Sequence, residues 1–175
     1  MAVPAAPIGA ADAPDEPGAQ GTPTSVTLEP LAADDREQFI RDSQEAFSYG
    51  ALEEFGRRDD HFEDEAGEQV ISHETIEGSI DEGCALRIKL DGASVGGLVV
   101  HINGDRGDLD LLFVSPRIHS RGVGQAAWRA VERRFPQVRV WSLVTPYFEK
   151  RNIHFYVNRC GLLRQSLWLS HRGIL

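Results

Sequence analysis

The residue types best suited to chemistry lie between Asp108 and Gly161. Arg121-Gly122-Val123-Gly124 comes after the apolar run Leu109, Leu111, Leu112, Phe113 and Val114. It opens a stretch in which Val123, Ala126, Ala127, Ala130 and Val131 recur at helical spacing as far as Phe135-Pro136. The glycines therefore stand where a helix begins. Such a start exposes unpaired N–H groups and a partial positive charge, and glycine lets a bulky anion approach the backbone without meeting a Cβ, so the pattern suits a phosphate. Two carboxylates, Asp108 and Asp110, sit two apart on the incoming strand and so project to one face. Tyr156 shares a helical stripe with Ile153, Val157 and Cys160, where a core aromatic is the alternative to a reacting phenol.

Other chemistries fit less well. Gly122-x-Gly124-x-x-Ala127 has the spacing of a dinucleotide fingerprint, but several residues separate it from Val114. The next strand ends in Leu143-Val144-Thr145 rather than an acid, and a P-loop's Lys-Ser/Thr is absent. His73-Glu74 begins H-E-x-x-E and not the H-E-x-x-H of a helical zinc site, so His73 reads as a surface histidine. Cys84 and Cys160 form no C-x-x-C, so neither a metal nor a disulfide framework is expected.

The elements that must position these groups follow from pattern. Val26 and Leu28 alternate in a first strand within Thr24–Leu31. A helix capped by Asp34 or Asp35 carries Phe39, Ile40, Ser43 and Phe47 on one face and has Gly50 as its stop. A short helix and an acidic loop occupy Ala51–Gln69, and Val70, Ile71, Ile76 and Ile80 mark a further short helix. Cys84–Leu90 and Val95–Ile102 form a hairpin about Asp91-Gly92, and Asn103-Gly104-Asp105 turns into the strand at Asp108, completing an antiparallel meander of three strands. The strand Val138–Val144 follows a helical crossover and so should run parallel to its predecessor, before a last helix ending at Gly161. The class expected is α/β (α+β): a mixed sheet, meander first and parallel pair second, flanked by helices.

The 175 residues, 41% hydrophobic and 26% charged, suit one globular domain over 25–175 behind a disordered Ala/Pro/Gly-rich tail at 1–24 that lacks the features of a signal peptide. Nothing spans a bilayer, and a cytoplasmic location is expected. Of the net charge of −9, the acid lies early: 17 acidic residues fall between Asp34 and Glu82, whereas 11 basic residues from Arg117 onward face only Glu132 and Glu149. A basic second half suits an anionic cofactor, an acidic first half favours a cationic partner, and the overall acidity excludes nonspecific nucleic-acid binding. A solvated surface is the alternative for both halves.

Leu112-Phe113-Val114-Ser115-Pro116, His119-Ser120-Arg121-Gly122-Val123-Gly124-Gln125-Ala126 and Asn152-Ile153-His154-Phe155-Tyr156, closing on Cys160-Gly161, closely resemble the acyl-CoA-binding motifs of the GNAT N-acetyltransferase superfamily. The resemblance covers roughly Thr24–Gly161 in element order and is strong from Asp108 onward. The family's phosphate motif begins with Gln or Arg. Here His119 holds that place, and histidine can still hydrogen-bond a phosphate.

The resemblance implies acetyl transfer from acetyl-CoA to a primary amine by direct attack in a ternary complex, with no metal. The two parallel strands would splay around the acyl-CoA. The backbone at Phe113 and Val114 would pair with the pantetheine arm, and amides of His119, Ser120, Arg121, Gly122, Val123, Gly124 and Gln125 would hold the pyrophosphate. Asn152 would contact the arm, and Tyr156 would protonate the departing thiolate. Asp108 is the candidate base, with Asp110, His101 and His154 behind it; capping a turn at Gly107 or facing solvent are the alternatives for the two aspartates. Phe155 and Cys160 are packing residues. The acceptor would be a small or peptidic amine, with a cation favoured, and neither nucleic acid nor membrane would be a partner. The family closes with two further antiparallel strands, but only Leu162–Leu169 looks strand-like, so the last strand is expected to be missing or altered. That end would leave an open sheet edge, a homodimer through a borrowed strand, or an inactive acyl-CoA-binding protein as the other outcome.

Overall fold

The computed structural model describes residues 25–55, 70–118, 122–146 and 167–170. The elements are β1 (Val26–Pro30), α1 (Arg36–Phe55), α2 (His73–Glu82), β2 (Cys84–Leu90), β3 (Ala93–Asn103), β4 (Arg106–Val114), α3 (Val123–Arg134), β5 (Val140–Pro146) and β6 (Leu167–Ser170). At the β2–β3 turn both Asp91 and Gly92 take positive φ, 50° and 84°, the turn geometry that matches the twist of paired strands. The strands stand in sequence order in one sheet. Strands β1 to β4 are antiparallel neighbours, so β1 extends the expected three-strand meander to four, and β5 is parallel to β4 as its helical crossover requires.

Each face of the sheet carries its own core. On one face Leu86, Ile88, Leu98, Val100, Leu109, Leu112 and Val114 pack under Val123, Ala127, Trp128 and Val131 of α3. On the other, Val99, Leu111 and Phe113 pack under Phe39, Ile40 and Phe47 of α1 and Ile76 of α2. Phe39 meets Phe113 edge-on at 5.0 Å, and Gly97 of β3 leaves the space that the Phe39 ring fills.

Three expectations are corrected. Gly50 does not stop α1, which runs on to Phe55: Ala46, Phe47 and Gly50 are buried, and that packing offsets the roughly 1 kcal/mol a glycine costs inside a helix. Asp35 does not cap a helix with its side chain, because both its carboxylate oxygens are taken by Arg87. The last of the described strands, β6, is not antiparallel: Leu143 of β5 pairs in parallel with Leu167. Residues 147–166 give the length such a crossover needs. The expected last helix lies outside the described residues.

Arg87, only 2% exposed on β2, anchors α1 to the sheet. Its Nε donates to Asp35 Oδ2 at 2.6 Å, Nη2 to Asp35 Oδ1 at 2.9 Å and Nη1 to Asp42 Oδ2 at 2.7 Å, with the guanidinium carbon 5.1 Å from the Phe39 ring centroid. Burial opposes the charge, but the hydrogen bonds and charges of Asp35 and Asp42 outweigh it and hold the pKa of Arg87 above its ordinary value. A second arginine, Arg36, ties α1 to α2 by donating to Asp81 at 2.6 Å and to the Glu77 carbonyl at 3.3 Å. That bond holds the Asp81 carboxyl below the usual aspartate range.

Replacing Arg87 by Met strands two carboxylates that are each about one-third exposed (32% and 31%), so the loss falls at the low end of the range for a broken buried pair. We expect about 3 kcal/mol in urea unfolding. The Arg36–Asp81 contribution is present above the unfolded aspartate pKa and fades as pH falls through the lower folded value. Urea midpoints at pH 7 and pH 3 should therefore converge slightly in Asp81→Asn relative to the parent.

Candidate active site

The order of pairs along β4 defines the site. Toward β3, Val100 faces Leu109 and Val99 faces Leu111, so Asp110 is an extra residue, a β-bulge. Toward β5, pairing runs from Arg106↔Val140 to Leu109↔Leu143 and stops there. From the bulge to Val114, β4 stays paired with β3 as far as Gly96↔Val114 but has no register with β5. The two parallel strands thus part at Asp110, and among the described residues no strand pairs with that side of the β4 backbone through Phe113 and Val114, a side on which an extended chain can add as a strand.

The bulge also switches the faces. Leu109 belongs to the core beneath α3 and Leu111, two residues on, to the core beneath α1 and α2. Below the bulge, the α1/α2 face turns polar. His101 is the cross-strand partner of Asp108, whose own partner on β5 is Ser142, and Asp110 Oδ2 lies 3.6 Å from His101 Nε2. Asp108 and Asp110 therefore share a face, as expected, although strict alternation is not the cause. The proposed turn cap at Gly107 is overturned: Gly107 lies within β4, opposite Ile102 and Trp141, and the Trp141 ring occupies the space a Cβ would need.

Beyond β4, Ser115 N–H donates to Val95 O at 2.8 Å, and a 3-10 turn at Pro116–Ile118 leads toward α3. Gly122 is the N-cap of α3, at φ 69°, ψ 11°, and has no side chain to bond the first turn. Ala126 N–H donates to Gly122 O at 3.0 Å, so the N–H groups of Val123 and Gly124 precede the first bond of the helix ladder. The first turn holds no acidic residue, while Arg133 and Arg134 sit in the last, so the positive end of the dipole is not neutralised by the helix's own side chains. Val123, Gly124 and Ala127 are buried, which fixes this end of the helix against the sheet. It is a site for an anion held by main-chain donors.

On the α1 side of the same strand end, Gln38, Asp42 and Glu45 line a cleft of about 340 Å³ with Ser94–Gly96, Phe113 and Ser115–Ile118. Glu45 lies 3.8 Å from Arg117 at its mouth. His73 is a half-exposed residue on α2, 3.5 Å from Glu37 and 3.8 Å from Glu77. No group of three or more metal-ligating side chains occurs among the described residues.

Of the expected site residues, Asp108 stands in the first half of β4, Phe113 and Val114 at its end, and Gly122, Val123, Gly124 and Gln125 at the start of the helix that follows. His119, Ser120, Arg121, Asn152, His154 and Tyr156 lie outside the described residues. Sequence reasoning missed the bulge and the place of Ser142. The signal for the bulge was the doublet Leu111-Leu112 breaking the Leu109-Asp110-Leu111 alternation.

The model of the acetyltransferase (GNAT) family matches residues 36–162. YrkN, an uncharacterized protein of Bacillus subtilis, is 41% identical over 152 residues, covering 85% of this chain and 78% of that protein. The fold is similar to that of PaiA N-acetyltransferase from Thermoplasma acidophilum, solved in complex with coenzyme A (TM-score 0.55, 16% identity, 77% of this chain and 87% of that one). It is equally similar to an acetyltransferase from Thermus thermophilus (TM-score 0.55, 19% identity, 77% and 85%).

A Cβ at Gly122 would meet no atom within 4 Å, so any cost of Gly122→Ala comes from its left-handed backbone alone. We expect a loss of about 1 kcal/mol in urea unfolding.

Proposed function

This chain belongs to the acetyltransferase (GNAT) family, and on that premise we propose that it transfers an acetyl group from acetyl-CoA to a primary amine by direct attack within a ternary complex. One observation carries the reading: a parallel strand pair that parts at a bulge, with an uncapped glycine start of a helix just beyond the open strand end. Strand backbone suits the amide-bearing pantetheine arm, and the helix start suits the pyrophosphate. That PaiA N-acetyltransferase, similar in fold, was solved with coenzyme A supports the choice of donor.

On this reading Phe113 and Val114 pair with the arm, and the main-chain amides of residues 119–125 hold the diphosphate. Binding from both ends lays the thioester along β4 toward the bulge and so fixes the carbonyl before the amine arrives, which removes most of the orientational cost of the reaction. The amine enters from the polar α1/α2 face, where the Asp108 carboxylate attracts an ammonium, and a base beside it draws off the proton. As the C–N bond forms and the C–S bond breaks, Tyr156 delivers a proton to sulfur, and Asn152 steadies the arm; both roles come from the family resemblance. The acceptor class follows from the acidic Asp34–Glu82 region and is a small or peptidic amine, cationic at neutral pH. No helix among the described residues is long and apolar enough to cross a membrane, and we assign the protein to the cytoplasm.

A thiol-release assay with acetyl-CoA and a panel of primary amines should show turnover that depends on the amine. Tyr156→Phe should lower kcat by roughly 100-fold or more while the rise in Tm with acetyl-CoA is kept. A Tm rise without turnover on any amine would replace this reading with a noncatalytic acyl-CoA-binding protein.

A further inference from the structure

We infer that His101 is the group that carries the proton away from the attacking amine, with Asp110 orienting its imidazole from the β-bulge. The assignment rests on the acetyl transfer proposed above and deepens it.

Three observations place His101 at the reaction. It lies on the α1/α2 face, on which Val99, two residues before it, packs under α1 and α2, whereas Val100 and Ile102 belong to the α3 side. It occupies one end of a row that crosses the sheet as His101, Asp108 and Ser142, at the last levels before β4 and β5 separate. Its Nε2 is 3.6 Å from Oδ2 of Asp110, the residue at which they part. That distance is longer than a hydrogen bond, as is common in catalytic pairs before substrate closes the site. The Asp110 side chain is 12% exposed and that of His101 33%, so the carboxylate is held inside while the ring reaches solvent. With Nε2 turned to Asp110, Nδ1 is left for the amine or for a water between them.

The fold makes room for the ring. Gly83 ends α2 opposite His101 with extended backbone (φ −115°, ψ −179°) that any residue can adopt. A Cβ there would come within 2.5 Å of Val99 Cγ1, 3.0 Å of Ser79 O and 3.1 Å of His101 Cε1, so the glycine is required by this close packing and not by its dihedrals.

Chemistry separates His101 from Asp108. A solvent-exposed carboxylate is a weak base for an ammonium, whereas imidazole as a group titrates near neutrality and both accepts and releases a proton there. Among the described residues, the charged groups on the elements around the ring are Asp108 and Asp110 on β4, Arg106 two residues before Asp108 on β4, opposite Asn103, and Glu82 at the end of α2; β5 contributes the uncharged Ser142. Two carboxylates beside the ring, Asp108 and Asp110, attract the incoming ammonium to it. The protons balance. One leaves the ammonium for His101 and then solvent; a second leaves the nitrogen after the C–N bond forms and reaches the sulfur as the C–S bond breaks, giving amide, thiol and one released proton.

The test is the pH profile of kcat with acetyl-CoA and the best amine of the panel, for the full chain and for His101→Gln, Asp110→Asn and Asp108→Asn, with the acetyl-CoA-induced Tm rise measured for each. In His101→Gln we expect kcat at pH 7 to fall roughly 100-fold or more and the acidic limb to disappear, with the Tm rise intact. Asp110→Asn should retain an acidic limb displaced from the parent's, because the ring loses the charged partner it faces, a change that a purely structural role would not produce. Parent kcat and profile in His101→Gln would overturn the assignment, as would loss of the acidic limb in Asp108→Asn alone. An unmoved limb in Asp110→Asn would overturn the orienting role. Absence of turnover in the parent on every amine would instead sink the acetyl transfer itself.

Discussion

One extra residue in β4 governs the rest of this structure. Where Asp110 enters, the strand keeps its hydrogen-bonded neighbour β3 on one side and loses β5 on the other, because a bulge bends the strand that carries it and sharpens its twist. A regular β4 would have continued the parallel ladder past Leu109, and more of its backbone would have been spent within the sheet. Past the bulge no described strand pairs with that side of the backbone, and the bulge changes which side chains face α1 and α2. Above it the face is apolar, with Val99, Leu111 and Phe113; below it stand His101, Asp108 and Ser142.

The helices on the two faces have different tasks. The small residues of α3, Gly124 and Ala127, let its first turn lie close on the sheet, and Trp128 meets Trp141 of β5 edge-on at 5.2 Å, so the helix start is fixed with respect to the strand end it follows. Dipole and orphan amides then act together on an anion without any acidic side chain in the first turn. On the opposite face, α1 is held by the Arg87 pairs with Asp35 and Asp42 and by the Phe39–Phe113 contact. Asp42 also lines the cleft beside the β4 end, so the same ion pair that fastens α1 sets one wall of that cleft. A buried ion pair is a modest source of net stability. Its geometric effect is to fix α1 against β2.

Much of the fold was legible in the sequence because each element carries its own period: alternation in β2 and β3, helical spacing in α3, and turn residues at Asp91-Gly92. The glycine start of α3 was legible for the same reason, since its function resides in local backbone. Where local preference and packing disagreed, packing won. Gly50 passes within α1 because its neighbours are buried, and Asp35 left its expected capping role for an arginine 52 positions away.

The sequence by itself determined the order and type of elements, the family resemblance and the backbone chemistry of the phosphate site, all set by residues close along the chain. Tertiary structure alone decided which side chains share the apex. Asp108, Asp110, His101 and Ser142 meet only through cross-strand register, and register depends on where a bulge interrupts the ladder. It also decided that β1 joins β2, that β6 lies parallel to β5, and that Arg87 closes on two aspartates of the first helical segment. Such pairings are long-range, and the energy that selects one of them is burial on two faces of the sheet at once, a sum that no single stretch of sequence contains.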